Sequence, residues 1–123
     1  MFAGLRHSMQ SADEYPFAVR TSNDNTLIGY AVIAPHHDPK DMEVSYMFFP
    51  KFWGCGYASE TIKTLIDFCT SELKLNRIVA ETQTANNRSC SLLQKLGFQL
   101  EDYIVRFGAK QSIYVLASAD SWH

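Results

Sequence analysis

Apolar positions along the chain change their period several times, and each change marks an element. Phe2, Leu5 and Met9 stand three and four apart, which predicts a short helix over residues 2 to 12, ended by Pro16. Phe17 to Thr21 reads as a strand. Ser22-Asn23-Asp24-Asn25 is turn chemistry, because Asn and Asp accept left-handed backbone and bond their own main chain. Leu27 to Ala34 is a second strand, which makes a hairpin. It is apolar on both faces, with Leu27, Ala31 and Ile33 against Ile28, Tyr30 and Val32, so cover on both sides is expected. Pro35 to Lys40 is a loop, and Met42 to Phe49 a third strand.

After the break PKFWGCG, apolar residues recur at helical steps: Ala58, Ile62, Leu65, Ile66, Cys69 and Leu73. Arg77 to Thr82 is a fourth strand. Asn86 or Asn87 can cap a second helix that carries Cys90, Leu92, Leu93 and Leu96, and Gly97 stops it. Phe98 to Phe107 and Ser112 to Ala117 form a closing hairpin around Gly108. The order is helix, β, β, β, helix, β, helix, β, β. It mixes antiparallel hairpins with one strand–helix–strand crossover, so the fold class is α+β, or mixed α/β. No repeat or linker interrupts residues 1–123, which read as a single domain.

Composition narrows the function. With 46% hydrophobic and 13% aromatic residues the chain is no disordered tail. A formal net charge of -2 argues against a nucleic-acid partner, which calls for a basic stripe. No apolar run approaches the roughly 20 residues of a membrane helix, and MFAGLRHSMQ has no signal-peptide core. Cys55, Cys69 and Cys90 fit no zinc spacing and read as reduced thiols of a cytoplasmic protein. His36-His37-Asp38 sits in a loop, where adjacent histidines are solvated rather than metal-bound, so no metal is expected.

The segment FPKFWGCGYA lies between a strand and a helix start. Its two glycines permit tight backbone, and the helix terminus adds partial positive charge, so the pattern suits an anion such as phosphate. A tight turn that binds nothing has the same pattern. A Walker loop needs Lys and Ser or Thr after the last glycine, but Tyr57 and Ala58 stand there. A dinucleotide fingerprint needs a third glycine, where Ser59 stands.

FWGCGYASETIKTLIDFC, followed by LNRIVAETQTANNRSCSLLQKLGF, resembles the GCN5-related N-acetyltransferases (GNAT), and within them the ribosomal-protein N-terminal acetyltransferase branch. Trp53, Gly54, Gly56, Tyr57 and Ala58 fill the first part of that branch's pattern. Asn86, Ser89, Leu92, Leu93, Lys95, Leu96, Gly97 and Phe98 fill the second. The resemblance implies a central, mostly antiparallel sheet with a parallel, splayed strand pair and flanking helices. It also implies an enzyme that moves acetyl from acetyl-CoA directly to a primary amine, either a protein N-terminus or a small molecule. The alternative is a non-catalytic acyl-CoA-binding or interaction module.

By the same resemblance, the amides from Gly54 through Cys55, Gly56, Tyr57 and Ala58 to Ser59 hold the pyrophosphate. The pantetheine arm pairs with Met47 to Phe49, and an amide near Phe48 or Phe49 polarises the thioester carbonyl. Asn86 touches the cofactor, caps the helix, or does both. Tyr57 packs and shapes the loop, and Cys55 needs no nucleophilic role. Glu43 is the candidate general base, against a solvated strand-edge carboxylate, and Glu81 the alternative base, against a structural ion pair. Ser89 is the candidate proton donor to the leaving thiolate. Two positions depart from the wider family: Lys51 stands where its signature begins with Gln or Arg, and no Tyr lies near Leu92 and Leu93. The resemblance further implies a shortened start that lacks the usual first strand and helix. A bare sheet edge would then favour a homodimer through the helix from Phe2 to Met9 or the strand from Phe17 to Thr21.

Overall fold

Seven strands pair into one sheet in the computed structural model, which describes residues 2–7 in their backbone and residues 14–36 and 41–117 in full. They are β1 (Phe2–His7), β2 (Tyr15–Thr21), β3 (Leu27–Pro35), β4 (Met42–Phe48), β5 (Arg77–Gln83), β6 (Gln99–Arg106) and β7 (Ala109–Ala117). Helix α1 (Tyr57–Ser71) joins β4 to β5, and α2 (Asn87–Lys95) joins β5 to β6. The strand order is β1-β2-β3-β4-β5-β7-β6. Every neighbouring pair is antiparallel except β4 and β5, as a direct strand–helix–strand crossover requires. This is the mixed class, with the flanking helices, that the sequence implied.

Strand parity sets the two faces of the sheet. Val44 and Phe48 of β4, Ile78 and Ala80 of β5 and Ala31 and Ile33 of β3 enter one core with Ile62, Leu65 and Cys69 of α1 and Leu93 of α2. Both helices therefore cover the same face. The opposite face carries a smaller cluster of Val79, Ile113 and Val115. Burial leaves Cys69 an inert core thiol, its pKa pushed up to about 12.

Three expectations need correction. Residues 2 to 7 form a strand, not a helix, because β2 supplies them with an antiparallel ladder from Phe2↔Thr21 to His7↔Phe17. The rest of the expected helix lies outside the described residues. Phe17 to Thr21 is consequently no bare edge, since β2 is paired on both sides, and Pro16 lies inside it. Finally, β3 is not covered on both faces. Ala31 and Ile33 are buried, whereas Tyr30, on the other face, is 47% exposed. Among the described residues no helix is long and apolar enough to cross a membrane.

One glycine of β3 is dictated by packing. Gly29 lies opposite Phe48, and a Cβ there would run into the Met47 carbonyl oxygen and the Phe48 ring and backbone. Backbone atoms cannot yield as a flexible side chain does. Gly29→Ala should therefore destabilise the fold by about 1–3 kcal/mol, the usual cost of overpacking. Denaturant unfolding measures it, and an unchanged midpoint would mean that β4 can shift freely here.

Candidate active site

β4 and β5 run side by side only at their beginnings. They pair at Met42↔Ile78 and Glu43↔Val79 and then part, leaving a wedge open toward their carboxyl ends. The main chain of β4 alternates along this gap. The Phe49 amide donates to the Ile28 carbonyl at 3.0 Å, so it faces β3. By alternation the amides of Tyr46 and Phe48 face the wedge. The Phe48 carbonyl accepts from Trp53 Nε1 at 2.8 Å, which ties the following loop to the strand end. Of the two amides named from sequence as carbonyl polarisers, only that of Phe48 points the right way.

Because β4 and β5 are parallel, the helices that follow them both start at the open end. Gly54 has φ 77 and Gly56 φ 84, and Gly56 is the N-cap of α1 without a side-chain cap. The first helical bond of α1 runs from the Glu60 amide to the Gly56 carbonyl at 3.2 Å. The amides of Tyr57, Ala58 and Ser59 thus emerge from the helix end with no carbonyl of the helix to accept them. A Cβ on Gly54 or Gly56 would meet nothing within 4 Å, so it is the left-handed backbone, not crowding, that demands glycine. The space in front of the loop is open. Tyr57 packs against the core and meets the Phe52 ring edge-on at 6.1 Å. Lys51 lies over the Phe52 ring, and Cys55 is exposed.

Asn86 caps α2, its side chain accepting from the Ser89 amide at 3.1 Å. That turn places Ser89 Oγ 2.9 Å from the hydroxyl of Tyr46. The contact reaches from β4 to α2 across the separation of the two parallel strands. Burial raises the Tyr46 pKa, partly offset by the Ser89 hydrogen bond, so the phenol keeps its proton throughout the neutral range. Tyr46 was missed from sequence. Its signal was parity, since it shares the helix-facing register of Val44 and Phe48 on β4.

Glu43 projects to the other face, at the closed end of the wedge. Burial raises its pKa and the Glu81 charge adds to that, while His36, Arg106 and the Glu81 amide oppose it. Glu81 is committed elsewhere: its Oε1 lies 2.8 Å from His36 Nε2 and its Oε2 3.1 Å from Arg106 Nε. The side chains of His36 and Glu81 are each only 4% exposed. The expectation of a solvated His36 is corrected accordingly, because a buried carboxylate needs a partner. His37 and Asp38 lie outside the described residues. Among those described, no cluster of three or more His, Cys, Asp or Glu side chains is placed to hold a metal ion.

The chain is similar to known proteins in sequence and in fold. The family model for the acetyltransferase (GNAT) domain matches residues 2–99. The uncharacterized N-acetyltransferase YnaD of Bacillus subtilis is 28% identical over 93 residues, 76% of this chain and 54% of YnaD. The crystal structure of a GNAT-family acetyltransferase from Bacillus anthracis superposes with a TM-score of 0.73 at 28% identity, over 83% of this chain and 65% of that one. A spermidine N-acetyltransferase SpeG mutant from Vibrio cholerae shares the fold, with a TM-score of 0.80 at 19% identity over 90% of this chain and 68% of that one. The chain spans about half the length of the curated relatives it matches.

Proposed function

The chain belongs to the GNAT acetyltransferase family, and we propose that it transfers acetyl from acetyl-CoA directly to a primary amine. The observation that carries this reading is the wedge. A strand edge with inward-facing amides, an uncapped helix N-terminus and two polar groups on opposite faces all belong to one parallel strand pair. Ligands of parallel strands sit outside the carboxyl ends, where the strands part.

In this reading the Tyr57 to Ser59 amides and the open space at Gly54 and Gly56 take the pyrophosphate. Lys51, Cys55 and Asn86 border that site. The pantetheine arm extends along the free edge of β4 at Met47 to Phe49, and the Phe48 amide polarises the thioester carbonyl. The amine arrives on the Glu43 face. Glu43 takes its proton through water, and Glu81 holds His36 and Arg106 in place beside it. The thiolate departs on the other face, toward Ser89. An acceptor α-amino group, with a pKa of about 7.7–8.0, reaches its neutral form far more readily than a lysine at about 10.4. The motif around Trp53 and Asn86 resembles the ribosomal-protein branch, so a protein N-terminus is the acceptor named first and a small primary amine the second. The three free thiols suit a reducing, cytoplasmic compartment. A homodimer belongs to the same reading, with β1 as the sheet edge open to a partner.

One set of measurements tests the reading. Acetyl-CoA should raise the thermal midpoint, thiol release should appear with a member of a panel of N-terminal peptides and small amines, and sedimentation should give a species above 14.0 kDa. No thermal response to millimolar acetyl-CoA would sink the reading. A response without thiol release over the whole panel would turn it into the non-catalytic acyl-CoA-binding module. A 14.0 kDa species would remove the dimer.

A further inference from the structure

We infer that Tyr46 is the positioning residue behind Ser89, supplying the hydrogen that lets Ser89 protonate the departing sulfur. The inference rests on the acetyl-transfer reading above. A serine hydroxyl alone is a poor acid for this step. Giving up its hydrogen would leave an alkoxide, a far stronger base than the thiolate it had neutralised. A phenol, ordinarily near pKa 10 and raised here by burial, is still far closer than an aliphatic hydroxyl to a thiol at about 8.5. Here the phenol of Tyr46 stands 2.9 Å from Ser89 Oγ. The Asn86 cap holds the first turn of α2 that carries Ser89. Tyr46 is itself fixed in the core, with its ring 5.9 Å from that of Phe48.

Each hydroxyl has one hydrogen to donate. The contact between the two can run in either direction, and a thiolate in the wedge selects one of them. With Tyr46 donating to Ser89, the Ser89 hydrogen is free to point at sulfur. When the tetrahedral adduct collapses, the C–S bond breaks and its electron pair goes to sulfur. The Ser89 hydrogen moves to that sulfur, and the Tyr46 hydrogen moves to Ser89 Oγ. Tyr46 then recovers a proton from water, replacing the one the acceptor nitrogen released, so protons and electrons balance. No tyrosine is required near Leu92 and Leu93, because β4 delivers a phenol to the same turn of α2.

The test uses bound CoA and needs no acceptor. The ultraviolet absorbance of the CoA thiolate is titrated on the protein, and the same titration with desulfo-CoA subtracts the protein's own groups. A hydrogen-bond pair aimed at sulfur should lower the thiol pKa by about one to two units, the worth of a hydrogen bond to a charged group. Ser89→Ala removes the donor to sulfur and should return the thiol to its free value, whereas Tyr46→Phe keeps the ring and its packing, takes away only the hydrogen bond that strengthens the Ser89 donor, and should lose about half of the lowering. A lowering of the thiol pKa that is undiminished in Tyr46→Phe overturns the inference and leaves the contact as a structural latch. Failure of the wild-type protein to bind CoA overturns the acetyl-transfer reading itself, and the inference with it. Where an acceptor is in hand, both variants should lose about 100- to 10,000-fold in kcat with KM for acetyl-CoA held within twofold. The double variant should be no worse than either single one, whereas multiplying losses would separate the two residues and count against the pair.

Discussion

Gly56→Val should remain folded and lose the rise in thermal midpoint expected of the wild-type protein with CoA. Ligand at 100 times its Kd stabilises by about 2.7 kcal/mol. For a chain of this size that is on the order of 10 °C. Gly56 stands at φ 84 as the N-cap of α1, directly before the three amides with no helical acceptor. A valine there is strained by the backbone and projects into the open space where the pyrophosphate would lie. Strain alone lowers the midpoint of the free protein by an amount typical of a misplaced side chain in left-handed backbone. The comparison is therefore the ligand-induced shift, not the midpoint. Gly97→Ala is the control for strain: Gly97 has φ 97 at the far end of α2, where an added Cβ meets Leu116 at 3.5 Å. It should be destabilised yet keep the full shift. An undiminished shift in Gly56→Val would move the phosphate site away from this loop.

The glycine loop was legible because its information is local. Two glycines before an apolar 3.6-residue period announce left-handed residues and a helix start, and the structure has both at Gly54, Gly56 and Tyr57. Asn86 was legible as a cap for the same reason. The strands β2 to β7 and both helices follow the hydropathy period to within a few residues at their ends. What escaped the sequence depends on distant partners. Phe2, Leu5 and Met9 suit a helical face, but residues 2 to 7 become a strand once β2 offers a ladder, and six residues carry too little periodicity to decide. His36 reads as a loop histidine until Glu81, 45 positions later, meets it in a buried pair. Tyr46 reads as an ordinary strand aromatic until α2 brings Ser89 across from 43 positions away. The site therefore splits by range: its backbone half is local and readable, and its side-chain half is made by the crossover from β4 to β5.

Glu43→Gln should cut turnover by about 100- to 10,000-fold, the usual share of a general base, while making the protein no less stable at neutral pH. The two effects have one cause. Burial lifts the Glu43 pKa above its ordinary 4.5, so the folded protein holds this proton at a pH where the unfolded chain has released it. Between those two values the native state binds more protons, and stability falls as pH rises. Above the folded value the cost of the buried charge is present in full; below 4.5 it vanishes. Glutamine carries no charge, so the variant's thermal midpoint should equal or exceed that of the wild-type protein at pH 7 and converge on it toward pH 4.5. The rate profile should follow the same proton. In the wild-type protein the acid limb should lie above the range of a solvated carboxylate, because a base at Glu43 would be lost on protonation. In the variant that limb should disappear along with most of the rate. A solvated strand-edge carboxylate would behave differently, leaving turnover within twofold and the acid limb in place. Activity that collapses together with the thermal midpoint would mark Glu43 as a structural partner of His36 and Arg106 rather than the base. Only a carboxylate kept at some cost to the fold should lose function on neutralisation without losing stability.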